Sequence, residues 1–391
     1  MRALFSERMG RLGTETAFEV LAKARALEAQ GMNLIHFEIG EPDFDTPRHI
    51  IEAAIEAMRE HWTHYTPSSG IAELREAIAD TVSESRRIDV DPDKEVVALP
   101  GAKPAIFNSL MAIVDPGDEV IVPNPGFPIY ESVVNFAGGK PVYARLKEED
   151  DFNMKAEDIG KLVTKKTKAI IINSPHNPCG SVLEKGDVEA IAEIAIDNDL
   201  FVISDEVYRK IFYDGEECPS IASEPGMKDR TLIIDGFSKT YAMTGWRLGY
   251  AVGPAELIGH ITRLQTNSTS CVNAFVQKAG VAALRGPQDC VTEMAAEYKK
   301  RRDVIVKELN EVDGFSCRMP RGAFYVLANI MKLKKTSREL MEYLMNKAGV
   351  VTLHGPAMGS YAEGYLRFSY ATSIENIREG ITRIENAVSK L

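Results

Sequence analysis

Residues 231–249 read TLIIDGFSKTYAMTGWRLG, and this stretch predicts both a buried strand and a reactive lysine. Thr231 to Asp235 is a β-branched and aliphatic run long enough for one strand, and Lys239 follows beyond its C-terminal end. Open parallel α/β sheets bind their ligands beyond that end of their strands. A partly desolvated lysine there is a nucleophile for an aldehyde, and the planar guanidinium of Arg247 suits a phosphate. The pair suggests a cofactor with both groups, whereas a solvated loop lysine is the alternative interpretation of Lys239 alone.

Composition narrows the class of protein. The chain has 391 residues, a net charge of −11 and 45% hydrophobic residues, which indicate a globular protein of two or three structural units. The negative charge argues against nucleic acid and anionic membrane surfaces as partners. The five cysteines are scattered and form no CxxC pair, so we expect neither a disulfide framework nor a metal site. Because no apolar run reaches membrane-spanning length, we expect a cytoplasmic protein.

The order of the apolar runs predicts the architecture. Strands alternate with helices from about residue 50 to 285, which is typical of a mostly parallel sheet covered by helices on both faces. Thr46 is expected to cap the first of these helices, with Pro47 at its first position. Beyond Gly286-Pro287 a long charged helix over 288–312 leads into a smaller α+β unit. Its strands are expected near residues 315–319, 323–327, 350–353 and 365–369.

Polar residues and glycines follow directly after several predicted strands. Gly101 opens a helix whose free N–H groups can bind a phosphate, and Asn177 lies in a loop held by two prolines. Asp205 ends a buried strand, so its carboxylate is expected to have a cationic or N–H partner. Gly40, after a strand predicted over 33–38, could lie close to a ligand, with an ordinary loop glycine as the alternative.

Two motifs make this pattern specific. Ser238-Lys239 is followed by Gly245-Trp246-Arg247-Leu248-Gly249, and Asn173-Ser174-Pro175-His176-Asn177-Pro178-Cys179-Gly180 occurs together with Asp205-Glu206-Val207-Tyr208. With these motifs the chain resembles the class I pyridoxal-phosphate-dependent aminotransferases of fold type I, in the branch of prokaryotic aspartate and aromatic aminotransferases. The resemblance covers nearly the whole chain, from Gly40-Glu41-Pro42-Asp43 to Leu366-Arg367-Phe368-Ser369. Cys179 stands where the family usually has threonine, and we expect function to survive this change.

The resemblance implies a fold and an assembly. The expected α/β fold has a large domain over residues 47–285, with a mostly parallel seven-stranded sheet between helices. Residues 1–46 and 286–391 would form the smaller α+β domain. A homodimer with shared active sites is also implied, in which Tyr65 reaches the phosphate of the partner's cofactor. The segment 266–270 would belong to the partner's site as well.

The resemblance also assigns catalytic and cofactor-binding roles. Lys239 would form the Schiff base with the aldehyde of pyridoxal 5'-phosphate and then act as general base and acid. Asp205 would pair with the pyridinium nitrogen, and Tyr208 and Asn177 would hydrogen-bond the ring 3-oxygen. Phe127 would stack on the face of the ring. The phosphate would be held by Gly101, Ala102, Lys103, Ser238 and Arg247.

The implied reaction transfers the α-amino group of an L-amino acid to a 2-oxo acid such as 2-oxoglutarate by a ping-pong mechanism. Arg367, helped by Asn177 and the backbone of Gly40, would bind the substrate α-carboxylate. Lys103 suggests acidic donors, but the segment Thr16-Ala17-Phe18 is apolar, so aspartate-like and aromatic donors both stay open. A pyridoxal-phosphate-dependent Cβ-lyase on the same fold is the alternative activity. A non-catalytic regulator is disfavoured by the negative net charge.

Overall fold

The computed structural model describes residues 5–215 and 217–391. In chain order its strands are β1 (Ile35–His36), β2 (Val96–Leu99), β3 (Glu119–Asn124), β4 (Lys140–Arg145), β5 (Thr167–Asn173), β6 (Phe201–Asp205), β7 (Thr231–Gly236), β8 (Gly249–Val252), β9 (Ser316–Cys317), β10 (Tyr325–Asn329), β11 (Val350–Val351), β12 (Leu353–His354) and β13 (Tyr365–Ser369).

The α-helices of the described residues lie before, between and after these strands. They are α1 (Thr16–Glu28), α2 (Arg48–Arg59), α3 (Ala72–Arg86), α4 (Ala102–Ile113), α5 (Ile129–Ala137), α6 (Ala156–Leu162), α7 (Lys185–Asp197), α8 (Phe237–Thr240), α9 (Ala255–Ser268), α10 (Ala274–Arg285), α11 (Asp289–Glu311), α12 (Ser337–Tyr343) and α13 (Ile374–Val388).

A seven-stranded sheet with the order β2-β8-β7-β6-β5-β3-β4 is the central element. Both neighbours of β8 pair with it in the antiparallel sense, and all other pairs in this sheet are parallel. Every residue of β3 and β7 is buried, as expected for strands whose two faces are both covered. The predicted α/β fold with a mostly parallel seven-stranded sheet is therefore confirmed.

Helices cover both faces of this sheet, and β2 shows how side chains divide between them. Val96 and Ala98 pack into the apolar layer formed with α2, α3 and α10. Val97 and Leu99 pack into the opposite layer, formed with α4, α5 and α9. Successive strand side chains point to opposite faces, so both faces of the strand are held and the carboxyl edge of the sheet is rigid.

A second, four-stranded antiparallel sheet has the order β12-β13-β10-β9 and packs with α11 and α13. The N-terminal segment joins this part of the molecule, because β1 pairs in parallel with β11. Phe37, which follows β1, shares one buried cluster with Phe368 of β13. Residues from both ends of the chain are thereby brought to one side of the central sheet.

Some local expectations are wrong. The strand predicted over 33–38 shortens to two residues, and the run 350–353 divides into β11 and β12, which pair in different sheets. Thr46 does not cap α2, because its hydroxyl donates to the carbonyl of Ala242 at 2.7 Å and Pro47 is the residue before the helix. Tertiary contacts outweigh local preference at these positions. Within the described residues, the helices are too short or too polar to cross a bilayer.

Candidate active site

A cavity of about 530 Å³ opens where β6 and β7 end, beside the start of α4 and below β13. It is lined by eleven of the thirteen residues expected at the site, and these are Gly40, Ala102, Lys103, Phe127, Asn177, Asp205, Tyr208, Ser238, Lys239, Arg247 and Arg367. Gly101 lies immediately beside the lining, because a Cβ on it would be 2.5 Å from Arg247 Nη2. Tyr65 is outside the cavity and 89% exposed.

Lys239 lies on the short helix α8, which begins directly after β7. Its Nζ donates to the carbonyl of Gly40 at 2.5 Å. Burial lowers the pKa of this amine to about 8, the carboxylate of Glu41 opposes the shift, and the guanidinium of Arg367 adds to it. The lysine therefore presents a larger fraction of free amine near neutral pH than a solvated lysine does.

Asp205 is 3% exposed at the end of β6 and accepts a hydrogen bond from the hydroxyl of Tyr130 at 2.6 Å. Burial raises the pKa of this carboxyl to about 6, while the Tyr130 bond opposes the rise. The Val207 N–H also donates to Asp205, at 3.4 Å, so the expected N–H partner is present, and the shorter bond comes from the neutral hydroxyl of Tyr130. A cationic ring nitrogen would supply a charged partner.

Asn177 and Tyr208 are each held by groups from distant parts of the chain. The side-chain oxygen of Asn177 accepts from Arg367 Nη1 at 3.1 Å, and its backbone N–H donates to the side chain of Asn173 at 2.9 Å. The hydroxyl oxygens of Tyr208 and Tyr325 lie 2.8 Å apart. Both side chains therefore have fixed positions before any ligand binds.

Arg367 on β13 is 4% exposed, and the contacts of its guanidinium recorded in the structure are to uncharged groups. Nη1 donates to Asn177 Oδ1 at 3.1 Å, Nη2 donates to the carbonyl of Glu38, and Nε has no protein partner. The guanidinium also lies over the ring of Tyr325 at 4.7 Å. A buried cation bound only by neutral groups is an attractive site for a carboxylate, which can take up the planar donor fork.

The start of α4 is shaped to receive an anion. Gly101, with φ of 101°, precedes the helix, and a Cβ on Gly249 of β8 would be 2.5 Å from the Ala102 nitrogen. Because no side chain of the described residues caps α4, its first N–H groups are left to bind a ligand at the edge of the cavity. Arg247 is exposed at the same place, and its Nη1 donates only to the carbonyl of Thr244, at 2.8 Å, among its recorded hydrogen bonds.

Three site residues were missed by sequence reasoning. Tyr325 approaches so closely that a Cβ on Gly40 would be 1.7 Å from its hydroxyl, so this glycine makes room for a protein side chain. Tyr130 binds Asp205, and a signal existed, since it lies only three residues after Phe127, which was expected at the same edge of the sheet. Glu15 pairs with the ammonium of Lys103, and no local signal links residues so far apart in sequence.

The donor set fits pyridoxal phosphate. A desolvated lysine can take an aldehyde, a buried carboxylate can take a ring nitrogen, and a helix start with an arginine can take a phosphate. Among the described residues, no group of three or more histidine, cysteine or acidic side chains could hold a metal ion. The fold and this site define a pyridoxal-phosphate-dependent transferase.

Comparison with known proteins identifies the family. Residues 32–384 match the family described as aminotransferase class I and II. An aspartate aminotransferase of Pyrococcus abyssi is 45% identical over 92% of this chain and 93% of its own length, and an aromatic-amino-acid aminotransferase of Thermococcus litoralis is 42% identical over 93% and 94%. The solved aspartate aminotransferase of Thermus thermophilus with maleate superposes with a TM-score of 0.94 at 37% identity, over 99% of this chain and 100% of that one.

The chain belongs to the class I and II aminotransferases. It is a pyridoxal-phosphate-dependent transaminase that acts on amino acids, as expected from the sequence. The alternative Cβ-lyase activity is not favoured, because these relatives are named as aminotransferases.

Proposed function

We propose that this enzyme transfers the α-amino group of an aspartate-like or aromatic L-amino acid to a 2-oxo acid such as 2-oxoglutarate. The observation that carries the proposal is the pairing of Arg367 and Lys239 in one cavity. The first is a buried guanidinium without a charged partner among its recorded contacts, and the second is an amine whose pKa is lowered to about 8 by burial. A substrate carboxylate on Arg367 would hold the α-carbon within the same cavity as the amine.

The cofactor would be held by groups that already converge. The helix start at Gly101, Ala102 and Lys103, with Ser238 and Arg247, suits the phosphate. Asp205 would bind the ring nitrogen, Tyr208 and Asn177 the 3-oxygen, and Phe127 the ring face. When bound, the cofactor supplies a ring that stabilises the negative charge formed as the α-proton leaves. These assignments are proposals that the cavity lining supports.

Lys239 would carry a proton from the substrate α-carbon to the cofactor carbon that derives from the aldehyde. With a pKa of about 8, roughly a tenth of the amine is unprotonated at pH 7, and this form can take a proton from the substrate α-carbon. The resulting ammonium would then act as general acid and donate the proton to the aldehyde-derived carbon of the cofactor. The carbonyl of Gly40, which accepts from Nζ at 2.5 Å, would orient the amine in the interval.

The side-chain end of the cavity has features for two kinds of donor. Lys103 can bind a second carboxylate, and its ammonium lies 5.5 Å from the ring centre of Phe127 and 6.0 Å from that of Phe18. The pair with Glu15 neutralises this lysine when no acidic substrate is present. An aromatic donor could then pack against the two phenylalanine rings. The relatives named for aspartate and for aromatic amino acids support this dual preference.

A homodimer is part of the proposal. Tyr65 is 89% exposed, and the residues 266–270 are exposed as well. The two segments lie on one surface, because Gln265 donates to the carbonyl of Ser68 at 2.6 Å. Such a surface suits contact with a second copy, whose cofactor phosphate Tyr65 would reach. Gel filtration tests the assembly, and an active monomer would contradict the role of Tyr65.

We further propose the division into a large domain over 47–285 and a small domain over 1–46 and 286–391. The pairing of β1 with β11 supports placing the N-terminal segment in the small domain. Since Arg367 lies on the four-stranded sheet, substrate binding would draw that domain toward the cavity. The five cysteines are free, which fits the proposed cytoplasmic location.

The function is tested with purified holoenzyme, a panel of L-amino acids and 2-oxoglutarate. Formation of glutamate with the matching 2-oxo acid, most rapid with aspartate and aromatic donors, is the expected result. Pyruvate and ammonia without glutamate would overturn transamination. An Arg367→Met variant should lose activity mainly through a higher KM for every donor, because all donors share the α-carboxylate.

A further inference from the structure

A buried network of three charged side chains joins the strands that lead to Asp205 and Lys239, and none of the three lines the cavity. Arg86, the last residue of α3, is 1% exposed. It donates from Nε to Glu206 Oε2 at 3.0 Å and from Nη2 to Asp235 Oδ2 at 3.0 Å. Glu206 directly follows Asp205, and Asp235 belongs to the strand that precedes Lys239. One guanidinium therefore ties the ends of β6 and β7 together.

The two carboxylates are otherwise satisfied mainly by uncharged donors. Glu206 accepts from Ser204 Oγ at 2.9 Å and from Ser220 Oγ at 2.5 Å. Asp235 accepts from the Gly236 N–H at 2.7 Å and from the Tyr250 hydroxyl at 3.2 Å. With one guanidinium and two carboxylates ionised, the network carries a single net negative charge. Loss of Arg86 would leave two buried carboxylates beside Asp205.

The charge of this network acts on Asp205. Burial raises the pKa of Asp205 to about 6, and the negative charges of Asp235 and Glu206 add to that rise. Burial opposes the charge on Arg86, but Glu206 and Asp235 outweigh it and raise the pKa of the guanidinium, which stays a cation. Other titratable groups that face these residues are Tyr130, Tyr208, Arg209, Lys210, Cys218, Tyr241 and Tyr250.

We propose that Arg86 is a positioning residue with two effects. It holds together the ends of β6 and β7, which carry Asp205 and lead to Lys239, and it offsets the nearby negative charge of Glu206 and Asp235, which disfavours ionisation of Asp205. Arg86 does not line the cavity, and it would act through Glu206 and Asp235. The inference rests on the proposed function in one respect, since it assumes that the ionised form of Asp205 binds the cofactor. The strength of a buried charge–charge interaction makes the effect measurable.

Two single variants change the network charge in opposite directions, and they form the test. Arg86→Met removes the positive charge of the network, whereas Asp235→Asn removes one negative charge and keeps the Arg86–Glu206 pair. The titration of Asp205 is followed in the apoprotein by NMR with aspartate labelled with ¹³C at the carboxyl carbon. The Asp205 signal is identified by its absence from Asp205→Asn. The midpoint should move up by about 1 pH unit in the first variant and down by a similar amount in the second.

The dissociation constant for pyridoxal phosphate provides the second readout. The pH below which cofactor binding weakens should rise in Arg86→Met and fall in Asp235→Asn. Arg86→Met should therefore bind the cofactor about tenfold more weakly near pH 6 and regain its affinity as the pH rises. Arg302→Met is the matched control, because Arg302 is also buried but binds Asp214, Asp303 and the Pro320 carbonyl in another part of the fold. It should lower the melting temperature without moving either midpoint.

Opposite shifts of the midpoint of the Asp205 titration in the two variants support the proposal, and unchanged midpoints or shifts in the same direction overturn it. If Arg86→Met does not fold, Asp235→Asn and the charge-conserving Arg86→Lys decide, with a downward shift expected in the first and none in the second. If the midpoints shift but Asp205→Asn binds the cofactor normally, the inference about charge stands and the proposed role of Asp205 fails.

Discussion

The ion pair between Glu15 and Lys103 leads to a prediction about donor choice. An acidic donor must displace the Glu15 carboxylate before its own side chain can bind the ammonium, whereas an aromatic donor need not. The two side chains are 23% and 42% exposed, so solvent screens the pair and limits its strength to about 1 kcal/mol. Removing the competing charge in Glu15→Gln should therefore raise kcat/KM for aspartate about fivefold.

The assay compares aspartate with phenylalanine, each with 2-oxoglutarate as acceptor. The gain in Glu15→Gln should appear as a lower KM for aspartate, with a change of less than about twofold for phenylalanine. Glu19→Gln is the control, since Glu19 is exposed on α1, which begins directly after Glu15, and no ion pair is found for it among the described residues. Lys103→Met should have the opposite effect and raise the KM for aspartate but not for phenylalanine. Equal effects of Glu15→Gln on both donors, or a loss with aspartate, would refute the competition.

Three further perturbations have defined outcomes. Lys239→Ala should abolish the absorbance of covalently bound cofactor. In the wild type, the rate of covalent cofactor binding should rise with pH through about 8, because the reactive form of Lys239 is the free amine. A rate that does not change with pH would contradict the lowered pKa. Tyr130→Phe removes the 2.6 Å bond that favours ionised Asp205, so cofactor affinity below pH 7 should fall about tenfold, and unchanged affinity would show that this bond is unimportant. Gly101→Ala places a Cβ 2.5 Å from Arg247 at a φ of 101°, which should cost about 1–3 kcal/mol in thermal unfolding, and an unshifted melting temperature would exclude the clash.

The sequence predicted the large features well because they depend on local patterns. Buried strands such as β7 are continuous apolar runs, and a lysine or glycine directly after such a run must lie at the carboxyl edge of a parallel sheet. The fold, the family and the cofactor follow from these strand-end residues. Their convergence on one cavity was expected from the topology, and the structure places eleven of thirteen in its lining.

Expectations about individual partners were less successful. The expected N–H donor to Asp205 is the backbone of Val207, but the shorter hydrogen bond, from the hydroxyl of Tyr130 on α5, was not expected. Thr46 was expected to cap α2, but its hydroxyl bonds to a carbonyl almost two hundred residues away. Propensity describes what a side chain can do with its neighbours in sequence, and a better-placed distant partner overrides it.

The sequence alone determined the order of strands and helices and the family. It also determined that several site residues follow strand ends, namely Lys239, Asp205, Asn177 and Arg247. Only the tertiary structure decided that Tyr325 fills the space beside Gly40, that Glu15 neutralises Lys103 and that Arg86 binds two carboxylates. The physical reason is the range of the interactions. Strand and turn patterns are written in neighbouring residues, whereas burial and charge pairing depend on segments that meet only after the chain has folded.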